Sequence, residues 1–199
     1  VAEGGAGRVA LPPAMTSPGA AADLDRLSGC VFGLTSGPLE RPVAERLVAD
    51  LGGRPMWVPE EARTLYHAGL AHGANHLVTL VTEAMEVLRA AGADDPARTL
   101  RPLLTAALDN ALAQGDAALT GPIVRGDVGT VRAHVADLAA NAPQALGSYL
   151  ALARGTLARV VTDGRLLPIR ARRIQELLDA GEAAGTGAPP RQQVAGDQR

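Results

Sequence analysis

A chain of 199 residues allows one medium domain, or a small one with an appended piece, and its 47% apolar content can fill a core. Only 2% of residues are aromatic and the apolar ones are mostly Ala, Leu and Val, which suits closely packed helices and speaks against a β-sandwich. All 19 basic side chains are Arg, so lysine chemistry is excluded; with a formal net charge of −2 and no basic patch among aromatics, no nucleic-acid partner is expected.

Cys30 is the sole cysteine, so no internal disulfide can form and a reducing cytoplasm is the expected compartment. No stretch is long and apolar enough to span a bilayer, and no signal peptide is visible.

Residues 1–10 show no periodicity, and Pro12-Pro13 breaks any helix. Residues 29–35 form a short apolar run between glycines, read as a buried strand, which makes Cys30 an inert thiol. Pro42, Val43, Leu47, Val48 and Leu51 recur at helical spacing up to Gly52-Gly53, and residues 54–59 read as a second strand. Together these make a β-α-β unit. Glu60-Glu61 then open a long helix to about Ala91. Further helices are predicted from Asp94-Asp95-Pro96 to near Gly115, from an Asp127 cap to about Ala140, from Pro143 to about Val161 and from Pro168 to Leu178. The division is thus 1–59 as a small α/β piece, 60–182 as a helical domain, and 183–199 as a disordered polar tail.

On the long helix, Leu70, Ala74, Leu77, Val81, Met85 and Leu88 share one side with Tyr66 and His67. His72, Asn75, His76, Thr79, Glu83 and Glu86 share the other. Tyr66-His67 are either a satisfied core histidine with an interface tyrosine, or a donor pair facing a cleft and able to polarise a carbonyl. His72 and His76 have the spacing of a helical metal pair. They lack the glutamate of a zinc-protease motif and a nearby third ligand, so a solvated polar stripe is expected and no metal.

Gly5-Ala6-Gly7-Arg8-Val9 looks like the start of a dinucleotide fingerprint, but no strand precedes it and Pro12-Pro13 forbid the helix. Thr120-Gly121-Pro122 and Arg125-Gly126-Asp127 bracket a turn; Arg125 could reach a substrate carboxylate. Arg165, Arg170, Arg172 and Arg173 form a basic cluster, read as a solvated face.

Several separated segments carry a family resemblance: Pro13-Ala14-Met15-Thr16, Leu51-Gly52-Gly53, and Val58-Pro59-Glu60-Glu61-Ala62-Arg63. Leu65-Tyr66-His67, Ala74-Asn75-His76-Leu77-Val78, Leu119-Thr120-Gly121-Pro122 and Arg125-Gly126-Asp127 follow in order. Over residues 11–178 the chain resembles a bacterial family of Rossmann-type oxidoreductases with a C-terminal helical domain of unknown function. That family is similar in architecture to pyrroline-5-carboxylate reductase, the 6-phosphogluconate dehydrogenase superfamily and the alternative ketopantoate reductases. Pro12 and Ser17 stand where the family carries His and Phe.

The resemblance implies a mostly α fold: a small remnant of a Rossmann sheet, then an all-helical 6-phosphogluconate-dehydrogenase-like domain. It implies an N-terminally truncated oxidoreductase, inactive as it stands, whose relatives carry the nucleotide-binding region upstream. It further implies NADP as cofactor, reduction of a small keto or imino carboxylate, and a homodimer. Tyr66, His67 and Asn75 become the catalytic candidates, with Thr120 and Arg125 for substrate. On an ideal helix Asn75 points away from Tyr66-His67, so a bend or a second subunit would be needed to join the three. The other class of function left open is a non-catalytic helical dimerisation domain.

Overall fold

The computed structural model describes residues 8–16 and 26–185. Gly5-Ala6-Gly7, Ser17 and residues 186–199 of the expected tail lie outside the described residues. The fold is mostly α, with one small three-stranded sheet. Two compact units divide between Thr79 and Leu80. No helix among the described residues is long and apolar enough to cross a membrane.

The first unit contains β1 (Val9–Ala10), β2 (Val31–Ser36), α1 (Arg41–Asp50), β3 (Arg54–Trp57) and a 3-10 turn (Glu60–Ala62). It also holds the first half of α2 (Arg63–Ala90). The β-α-β reading holds: β2 and β3 pair in parallel, Val31 opposite Arg54 and Leu34 opposite Trp57. The amide of Val58 still donates to Leu34 O at 2.8 Å, so the expected strand to Pro59 is only slightly long. β1 was not expected. It pairs antiparallel with the end of β2, Val9 opposite Ser36, and two residues are too few to show an alternating pattern.

Phe32, Leu34, Ala44 and Val48 make the core of this unit. Of the positions predicted at helical spacing for α1, Val48 is buried and faces the sheet together with Ala44 one turn earlier, while Val43, Leu47 and Leu51 are exposed. Cys30 is corrected too. It precedes β2 and is only half-buried. Gly52 (φ +70°) ends α1 in the left-handed region that favours glycine.

The second unit contains the rest of α2, then α3 (Pro96–Gln114), a 3-10 turn (Gly115–Ala118), α4 (Pro122–Arg125), α5 (Val128–Asn141), α6 (Pro143–Thr162) and α7 (Pro168–Gly185). Leu146, Leu150, Ala153, Leu157 and Val160 step by four and three along α6 and are all buried. They meet Ile174 and Leu178 of α7 and Val131 of α5. Ser148 Oγ donates to Glu83 Oε2 at 2.5 Å and Gln144 Nε2 to Glu86 Oε2 at 3.4 Å, so the acidic end of α2 is partnered by α6.

α7 runs past the expected end at Leu178 to Gly185. Ala180, Ala183 and Ala184 favour helix. Arg154 Nη2 on α6 donates to Leu178 O at 3.2 Å, Asp179 Oδ1 at 3.1 Å and Glu182 Oε2 at 2.8 Å. The basic cluster is corrected at one member. Arg165 holds Asp163, the Leu119 carbonyl (3.2 Å) and the Asp116 carbonyl (2.7 Å), so it acts as a tie between segments.

Asp127 caps α5 as expected: its carboxylate accepts from the Thr130 amide at 3.0 Å and the Thr130 hydroxyl at 2.7 Å. Those bonds, the amide first, hold its carboxyl below the usual value. The capping contribution is therefore complete above the ordinary aspartate range near about 3.9 and is lost as pH falls through the lowered folded value. Asp127→Ala should lower Tm at neutral pH by calorimetry and reduce the difference from wild type at acid pH; an acid-independent difference would contradict the cap.

Candidate functional site

In open α/β sheets the carboxyl ends of parallel strands border the ligand crevice. β2 and β3 end at Ser36 and Trp57, and a cleft of about 1490 Å³ lies beside these ends. Its walls are Gly33 and Thr35 of β2, Val58 after β3, the segment from Pro12 to Thr16, and the first half of α2. Thr35 Oγ1 donates to Val58 O at 2.7 Å and pins the two strand ends together.

Tyr66, His67 and Asn75 all line this one cleft. Residues four apart on a helix stand one above the other. Tyr66, Leu70, Ala74 and Val78 form one row, His67, Ala71 and Asn75 the next, and both rows line the wall. Asn75 is opposite Tyr66 in angle but lies on the His67 row, and the cleft is wide enough to take both rows.

Tyr66 has the most constrained position. A Cβ at residue 33 would stand 2.6 Å from its Cε1 and 3.0 Å from its hydroxyl, so the ring lies against the bare backbone of β2 where only glycine fits. The hydroxyl is buried and has no hydrogen-bond partner among the described residues. Enclosing such a group unpaired costs about 1–3 kcal/mol. It is an unsatisfied donor on a residue that lines the cleft. His67 and Asn75 are exposed to the cleft's solvent.

Two cations line this wall, Arg26 and Arg63; Arg63 Nη1 lies 3.2 Å from Glu60 Oε1, an exposed pair that holds the guanidinium loosely. Sequence reasoning missed Arg63 and Gly33. A glycine inside a strand does hint at close approach by a neighbour, but nothing local names Tyr66 as that neighbour.

Thr120 and Arg125 belong to the second unit. Thr120 precedes Gly121 (φ +98°), and Arg125 is exposed at the end of the single-turn α4, where its charge helps hold Asp127 ionised. The structure does not gather them with Tyr66, His67 and Asn75 in one unit.

His72 and His76 are absent from the cleft wall. Their Nδ1 atoms approach to 2.9 Å with the rings nearly perpendicular, at 87°. Among the described residues no three His, Cys, Asp or Glu side chains cluster as a metal site.

The chain is similar to a solved structure, protein TM1727 from Thermotoga maritima, with 19% identity and a TM-score of 0.56. The likeness covers 88% of this chain and 63% of that one, so the present chain spans under two thirds of its length. At this identity it speaks to the fold. No curated protein matches the chain. Residues 30–156 match the family described as a domain of unknown function, DUF2520. That span is more than half of the 199 residues and includes both β2 and α2, and the chain belongs to this family.

Proposed function

We propose that the chain is the substrate-facing and subunit-pairing part of an NAD(P)H-dependent oxidoreductase acting on a small keto or imino carboxylate of the ketopantoate type. The observation that carries this reading is Tyr66, whose buried hydroxyl is unpaired, lining a cleft beside the carboxyl ends of two parallel strands.

A nicotinamide cofactor needs a cradle for its pyrophosphate, normally a glycine-rich turn leading into a helix N-terminus. The described β2–α1 turn does not fit. Glu40 caps α1, with its carboxylate packed on Gly37, and would repel a phosphate there. NADP is implied by the family resemblance alone.

The chain's own residues have definite work in such a reaction. Tyr66 Oη donates a hydrogen bond to the carbonyl oxygen or imine nitrogen, which polarises the acceptor carbon. His67 and Asn75 supply further donors from the neighbouring row and fix the acceptor's orientation. With no lysine present, Arg63 in the cleft is the cation that meets the substrate carboxylate, by a forked pair of bonds. The cytoplasm remains the proposed compartment.

The chain is expected to bind substrate without turning it over, so the test titrates a panel of small 2-keto carboxylates into the full chain and follows binding by calorimetry, with Arg63→Ala and Tyr66→Phe as controls. Saturable binding that both substitutions weaken supports the reading. Silence across the panel, from a chain shown to be folded, removes it.

One observation favours a second reading, a non-catalytic dimerisation module. No residue of the 28-residue α2 is buried, although an apolar stripe was expected there to form core. Leu65 and Val78 are 77% and 64% exposed. On α3, Leu103 and Leu112 are likewise exposed. A second copy is the natural cover for such faces. Sedimentation should show a dimer that Leu103→Glu with Leu112→Glu converts to monomer; a monomeric parent would end this reading.

A further inference from the structure

We infer that His72 and His76 form a two-nitrogen site for a late first-row divalent cation, with copper(II) preferred, separate from the cleft. Both residues lie on α2 one helical turn apart, and both are exposed. Their Nδ1 atoms are 2.9 Å apart.

That separation is an ordinary hydrogen-bond length, and it is also one that a single ion can bridge. A metal about 2.0–2.1 Å from each of two nitrogens, with its bonds at a right angle, requires them about 2.9 Å apart. A tetrahedral ion at the same bond length requires about 3.3–3.4 Å. Right-angled positions belong to square-planar or tetragonal ions, Cu(II) and Ni(II), and a tetrahedral Zn(II) fits less well. The stability order for nitrogen ligands also places Cu(II) first.

Without metal, one Nδ1–H donates to the other Nδ1 across the 2.9 Å gap. On binding, both Nδ1 lone pairs turn to the ion, and the former donor ring carries its proton on Nε2 instead. No bond to carbon changes and no electron is transferred. Binding exchanges this hydrogen bond for two bonds to the ion, and both exposed rings turn to direct their Nδ1 lone pairs at it. Two protein ligands leave further positions to water, so the ion stays open to exchange. Neither histidine lines the cleft, whose wall takes Ala71, Ala74 and Asn75 from the same helix. The inference therefore stands or falls independently of the proposed reductase.

The untagged full chain, stripped with chelator, is titrated with CuCl2 by calorimetry and by electron paramagnetic resonance. The expected result is one Cu(II) per chain with superhyperfine structure from two nitrogens, bound more tightly than Ni(II) and Ni(II) more tightly than Zn(II). His72→Ala and His76→Ala should each weaken binding about tenfold or more and leave the circular dichroism unchanged, while His134→Ala should leave the affinity unchanged. Binding that survives both α2 substitutions, Zn(II) binding more tightly than Cu(II), or no copper uptake above that of buffer would each overturn the site.

Discussion

In a reductase that joins this segment to a cofactor-binding region, Tyr66→Phe is expected to cut reductive turnover by about 100- to 1,000-fold, the loss typical of removing one positioned donor to a developing oxyanion. The same substitution should leave the chain equally stable or about 1 kcal/mol more stable, because a buried hydroxyl with no partner loses nothing when removed. Opposite movement of activity and stability is the diagnostic. Steady-state rates and urea denaturation on one preparation read both. A clear loss of stability would mean that the hydroxyl has a structural partner, and the polarising role would fall with it. Gly33→Ala approaches the same group from the strand. Its Cβ would stand 2.6 Å from the tyrosine ring, so the ring must leave its place, and both activity and stability should drop together.

Ile174→Ala should destabilise the second unit by about 2–5 kcal/mol, the range for emptying a well-packed aliphatic site. Ile174 is fully buried on α7 within the cluster that includes Val131, Leu150 and Leu157. Those neighbours come from two further helices, α5 and α6, so collapse into the gap is resisted from several sides. Thermal unfolding should show the change as a lowered Tm. A shift no larger than that of an exposed site such as Leu167→Ala would mean that the three helices are not packed as one core.

The elements legible in the sequence were those whose reasons are local. Residues 29–35 announced β2 through a short apolar run between glycines, and Asp127 announced the start of α5 because a cap acts on amides two or three residues away. α6 could be read from Pro143, which stands in its first turn. β1 could not, since its two residues gain meaning only from pairing with Ser36 and Thr35. The last turns of α7 were hidden because Arg154, which fastens them, lies 24 residues before Leu178.

The candidate site divides in the same way. Tyr66 and His67 stood out as polar groups beside an apolar stripe. Asn75 stands opposite Tyr66 on the helix, as angular reasoning had it, and shares its row with His67. Gly33 and Arg63 needed the third dimension: one matters for the ring that lies on it, the other for the wall it shares.

The grip of Arg154 on the end of α7 has a consequence for how that helix opens. One guanidinium, 26% exposed, fastens the Leu178 carbonyl, Asp179 and Glu182, and two of these three bonds join opposite charges. Dissolved salt weakens such attractions but leaves apolar burial in place. The terminal turns of α7 are thus a clasp that ionic strength can undo, set on a stem that it cannot. Amide protons after Asp179 should exchange with solvent faster as salt rises, while those around Ile174 keep the pace of the whole unit.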